Sequence, residues 1–214
     1  MKYFFCSLVV LSGIFALWSS GVCGEDIENC ETLRWCVDSV SQNKDIREKA
    51  LEKLIALENK EREMLMQNFK KLLTEKSFNN KESCPLHVTI VALQHLRTLE
   101  IVPDLTGIVD YELDKSTFRS GEKRHWSAYF PAANALAEIK SPDIWHLILN
   151  QLHKKNEDKT LKLYAWVLVK TYGKDVSMLL LNNQLPNKTD VTLDEKVKKL
   201  KEYTARGEMI TPFE

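Results

Sequence analysis

The sequence predicts an all-α protein: a short right-handed α-solenoid of about four helical hairpins, closed by a C-terminal capping helix. Two observations carry this expectation. The 214 residues include only 7 Gly and 6 Pro, too few backbone breaks for many short strands joined by tight turns. An apolar pattern at helical spacing also recurs along the chain, each copy followed by a polar break and a second amphipathic stretch. Its clearest copy is "ANALAEIKSPDIWHLILNQL", residues 133 to 152.

Taken in order, the first helices of the hairpins are "IREKALEKLIAL" (46–57), "VTIVALQHLRTL" (88–99), "FPAANALAEI" (130–139) and "LKLYAWVLVKTYG" (161–173). Their partners are "REMLMQNFKKLL" (62–73), "VPDLTGIVDYEL" (102–113), "PDIWHLILNQL" (142–152) and "KDVSMLLLNNQL" (174–185). Matching Leu51, Leu93, Leu136 and Leu168 gives offsets of 42, 43 and 32 residues, the first two in the range of helical-pair repeats. Local chemistry agrees. Ser141 is placed to cap a helix whose first residue is Pro142, where a missing N–H costs nothing. Ser83 with Pro85, and Pro103, mark other starts, and Gly173 stands just past a helix, where a left-handed residue is wanted. Thr192 followed by Glu195 reads as a capping box opening the last helix, "LDEKVKKLKEYTAR". Two stretches conflict with the pattern. "HWSAYF" before Pro131 reads as partly extended, and "LHVTIVAL" is β-branched enough to pass for a strand, although its neighbours favour helix.

The stretch "AANALAEIKSPDIWHLILNQL" resembles the HEAT-like repeats of bilin-lyase-type and scaffold proteins. The match is best in the third unit and good in the second; "ENKER" replaces the turn in the first and "YGKD" in the fourth. The resemblance implies a shape, covering residues 44–185, and not a chemistry. Bilin attachment is not carried over, because that chemistry is cytoplasmic. The expected organisation is a signal peptide at 1–24, a solenoid domain at 25–206 and a tail at 207–214. Repeat-like units fall near 31–57, 62–99, 102–139 and 142–173, followed by a cap at 174–206.

The first 24 residues set the compartment. Lys2 precedes the uncharged "YFFCSLVVLSGIFALWSSGVCG", and a basic start, an apolar run and a small-residue exit make a cleavable secretory signal. Cleavage is expected after Gly24. The runner-up is an uncleaved membrane anchor, because the run approaches the ~20 residues that cross a bilayer; a lipid on Cys23 is a third option. All three export the rest of the chain, so the protein is expected to be extracytoplasmic, periplasmic or secreted, with no stable membrane insertion after signal removal. In an oxidising compartment, two of Cys30, Cys36 and Cys84 are expected to pair, either Cys30–Cys36 or Cys36–Cys84. Asn187 in "NKT" is a glycosylation acceptor only in a eukaryotic secretory pathway.

Function is less legible. A formal net charge of +0 disfavours nucleic acid. The histidines (His87, His95, His125, His146 and His153) lack metal-ligand spacing, and no nucleophile or phosphate-loop motif occurs. No catalytic residue, metal or cofactor is therefore expected. Mixed-charge runs such as "DIREKALEKLIALENKERE" read as solvated helix faces. Trp35, Trp145 and Trp166 fall on apolar stripes and read as core. Trp126 differs, ending the basic insertion "STFRSGEKRHW" (116–126); loops on a repeat scaffold often carry binding. The candidate partner-binding residues are Arg119, Lys123, Arg124, His125 and Trp126, facing an acidic protein or peptide at the edge of a concave surface. That surface would take the exposed polar positions of 44–57, 86–99, 128–139 and 159–172, among them Arg47, His87, Arg97, Lys162 and Lys170. The opposing reading of the insertion is a solvated loop with Trp126 stapling the next helix. The function expected is an extracytoplasmic protein-binding or scaffold module, not an enzyme; the alternative is an enzyme or small-ligand-binding protein with its site in the groove. On the first reading, changing Arg124 and Trp126 to Ala weakens capture and leaves the melting temperature nearly unchanged.

Overall fold

The computed structural model of the chain describes residues 32, 34–36, 38–41, 43–74, 84–113, 125–154, 157–183 and 191–207. Among these the fold is all-α, with no strand. The signal segment, the sequon at Asn187, the Ser83 cap and most of the 116–126 insertion lie outside the described residues. The chain divides into two compact units, 1–96 and 97–214.

In the first unit, helical residues at 32, 34–36 and 38–39 precede α1 (Lys44–Ile55), α2 (Asn59–Thr74) and α3 (Cys84–His95). Asn43 caps α1, its Oδ1 accepting from the amides of Asp45 at 3.0 Å and Ile46 at 3.5 Å. No Gly or Pro divides α1 from α2, and side chains close that turn instead. The Arg62 guanidinium donates to the carbonyls of Leu57 at 3.1 Å and Ile55 at 3.0 Å, satisfying the frayed end of α1. The Glu61 carboxylate accepts from the Glu58 amide at 2.8 Å, the reciprocal half of a capping box. "ENKER" thus makes a turn with charged side chains where other units use proline.

Helix α3 contacts both α1 and α2, and Leu86, Val88, Thr89, Ile90, Ala92 and Leu93 are all buried along it. A helix apolar on nearly every side belongs in a core, and packing there overrides the β-propensity of "LHVTIVAL". Cys36 corrects an expectation. Both candidate disulfides use it, yet its thiol is free and only 1% exposed. Burial pushes that thiol up to about 12, so it behaves as a small apolar side chain. Cys30 and the Cys84 side chain lie outside the described residues.

The second unit opens with a 3-10 turn at Leu99–Ile101 that runs into α4 (Val102–Gly107). This helix stops after six residues, whereas the sequence pattern carries it to Leu113. The stretch 108–113 leaves the helix and buries Val109, Tyr111 and Leu113. After the insertion come a 3-10 turn at Trp126–Tyr129, α5 (Pro131–Ile139), α6 (Ile144–Leu152), α7 (Asp158–Tyr172), α8 (Lys174–Asn182) and α9 (Val191–Arg206). The "HWSAYF" stretch is therefore mostly wound, with His125 the extended residue before the turn. Thr192 lies inside α9, so the expected capping box is not its start.

The centre of this unit is α7, which contacts α5, α6, α8 and α9. Ten consecutive residues, Thr160 to Val169, are buried. No one-sided helix shows that; it is the signature of a helix surrounded on all sides. Most of the expected groove wall at 159–172 is accordingly core, although Lys170 at its end is exposed. Lys162, expected on an exposed surface, is 8% exposed, its ammonium held 3.0 Å from the Asp158 carboxylate. Helix α5 is also buried along most of its length, its alanines allowing close approach. Polar ties lock the neighbours in register. The Ser177 hydroxyl donates to Leu168 O at 2.9 Å, and the Lys196 ammonium donates to Leu152 O at 2.5 Å, meeting the negative end of α6.

Candidate functional site

The described residues on either side of the basic insertion are Leu113 and His125. Its two ends are clamped together, since the Leu113 amide donates to Tyr129 O at 2.8 Å. Whatever the insertion does, it does so from a fixed base. On the returning side, His125 caps the 3-10 turn: its Nδ1 accepts from the Ser127 amide at 3.3 Å and lies 2.8 Å from the Ser127 hydroxyl. Phe130 then sends the chain into α5, where Pro131 takes the first-turn position.

Trp126 is half-buried. Its ring meets Trp166 of α7 edge-on, centroids 4.8 Å apart at 65°, and Phe130 at 6.2 Å and 64°. These are the T-shaped arrangements that ring quadrupoles favour. His125 tilts over it at 5.2 Å and is itself exposed. The turn therefore presents one exposed imidazole and part of one indole, on a base that cannot move freely.

Behind the turn lies a polar seam joining 106–113 to α7. Lys159 forms an ion pair with Glu112 and places its ammonium 4.8 Å from the centroid of the fully buried Phe130 ring. The Thr160 hydroxyl donates to Asp110 at 3.1 Å, and the buried Tyr164 hydroxyl donates to Thr106 O at 2.8 Å. Burial, with the Asp110 carboxylate nearby, pushes the Tyr164 phenol above the usual tyrosine range. These partners lie some fifty residues apart, and no local pattern marks them.

A second polar knot joins α7 to α9. The Tyr203 hydroxyl donates to Asp158, which also takes Lys162. Tyr203 chiefly, then Lys162 and Lys199, hold the Asp158 carboxyl below its ordinary value against the opposing pull of desolvation. Burial first, then Asp158, pushes the Tyr203 phenol up to about 12. The Tyr203 ring is flanked by Lys162 at 5.5 Å and Arg206 at 5.2 Å. Asp158, Lys162 and Tyr203 satisfy one another within the knot, which reads as structural.

Of the predicted site residues, His125 and Trp126 are adjacent and placed at the base of the insertion. Arg119, Lys123 and Arg124 lie outside the described residues. Sequence reasoning missed the role of Trp166, which it assigned to the core without a partner, and missed Phe130 and the Lys159–Glu112 pair. Among the described residues, no group of three or more His, Cys, Asp or Glu is arranged to hold a metal ion. No helix described is long and apolar enough to cross a membrane.

No protein-family model, curated protein or solved structure matches the chain.

Proposed function

We propose that the chain is an extracytoplasmic protein-binding module that meets an acidic protein or peptide at the 116–129 segment. The observation that carries this reading is the clamped base: a basic insertion whose ends are tied by Leu113 and Tyr129, with Trp126 and His125 fixed where it rejoins the fold. A fixed aromatic that follows guanidinium and ammonium groups in the chain suits hot-spot contacts, because little order of the aromatic is lost on binding. The helices supply the scaffold, and the HEAT-like pattern and the secretory signal belong to the same proposal.

The test reverses charge in the insertion without touching Trp126, whose packing makes it a poor probe. Tagged protein carrying Arg119→Glu, Lys123→Glu and Arg124→Glu is used to capture partners from the native envelope fraction. Loss of capture with an unchanged helical spectrum supports the reading. Capture of every partner at wild-type yield overturns it, leaving the insertion a spacer.

A further inference from the structure

The cap of the Trp126 turn is an imidazole, and an imidazole accepts a hydrogen bond at Nδ1 only while that nitrogen is unprotonated. We propose that His125 is a pH-sensitive latch on this turn, holding it closed when neutral and releasing it when the ring becomes a cation. The geometry carries the proposal. One nitrogen lies 3.3 Å from the Ser127 amide and 2.8 Å from the Ser127 hydroxyl. On protonation Nδ1 becomes a donor. The hydroxyl rotates to accept from it, whereas the amide has only its N–H to offer and loses its acceptor. An uncapped first turn frays, and the residue between cap and amide is Trp126.

The ring is exposed, so protons reach it without any opening of the fold. On the far side of Phe130, α7 brings Lys159 and the 108–113 stretch brings Glu112, which pair with each other. Lys123 and Arg124 precede His125 in the chain. Trp126 is held by its contacts to Trp166 and Phe130, so release loosens the turn and shifts the indole without unfolding the unit. The latch concerns the segment proposed to meet a partner, yet it stands or falls without one.

The experiment is a nuclear magnetic resonance titration of the full chain across the imidazole range, about pH 5 to 8, following the Ser127 amide and the Trp126 indole N–H. Both signals should move with the His125 ring, and their acid limit should match His125→Ala at neutral pH. His125→Asn keeps a cap acceptor that does not titrate, so its two signals should stay near the neutral wild-type positions throughout. A Trp126 signal that stays put while the ring titrates overturns the latch. So does a His125→Asn variant that titrates like the wild type.

Discussion

Replacing Trp126 with Ala should destabilise the second unit by about 2–3 kcal/mol. Truncating a fully buried tryptophan costs about 3–5 kcal/mol, and this ring is half-buried, which removes part of the area term. The two edge-on contacts, to Trp166 at 4.8 Å and Phe130 at 6.2 Å, each carry about 0.5–1.5 kcal/mol beyond burial. Together these keep the loss above that of an ordinary surface substitution, which stays within about 0.5 kcal/mol. At this chain size each kcal/mol moves the melting temperature by about 2–4 °C, so a fall of roughly 5–10 °C is expected. Urea and thermal unfolding followed by far-ultraviolet circular dichroism measure it, with Arg124→Ala as the control that should not move. This outcome departs from the sequence expectation, in which removing Trp126 left the melting temperature nearly unchanged. If Trp126→Ala melts with the wild type, the packing argument fails and the indole is held by nothing that matters to stability.

Two further outcomes follow from buried and paired groups. The Thr204 hydroxyl is buried with no hydrogen-bond partner among the described residues, the side chain being fully inaccessible; Thr204→Val should therefore stabilise the protein by about 1 kcal/mol, and denaturant unfolding that shows a loss would mean the hydroxyl is satisfied. Asp158 is held below its ordinary value by Tyr203 first and by Lys162 and Lys199. A depressed folded-state value contributes stability above the unfolded value, near pH ~4, and loses it as pH falls through the folded one. The Asp158 side chain is 48% exposed, so solvent screening limits the contribution to about 0.5 kcal/mol. Tyr203→Phe should flatten the stability–pH curve at its acid end, and an unaltered curve would assign the acid sensitivity to other carboxylates.

The sequence by itself determined the helices and most of their order. Apolar spacing and scarce glycine act within a few residues, so the pattern that places α5, α6, α7 and α8 is readable before any contact forms. The apolar runs "LHVTIVAL" and "KLYAWVLV" are equally plain in the sequence, yet it left the first able to pass for a strand and put the second on a groove wall; packing decided that both are core. What tertiary structure alone decided lies in pairings between distant residues. The buried ammonium of Lys162 is tolerable because Tyr203, 41 positions away, closes the knot around Asp158. Helix α4 stops at Gly107, and the stretch 108–113 carries Asp110 and Glu112 to Thr160 and Lys159. The sequence left Trp126 between a partner contact and a staple on the next helix, and it is Trp166, forty residues on, that holds it. Sequence spacing encodes which face of a helix is apolar, since that depends on a 3.6-residue period. It does not encode which partner covers that face, because the partner's distance along the chain bears no relation to its distance in space.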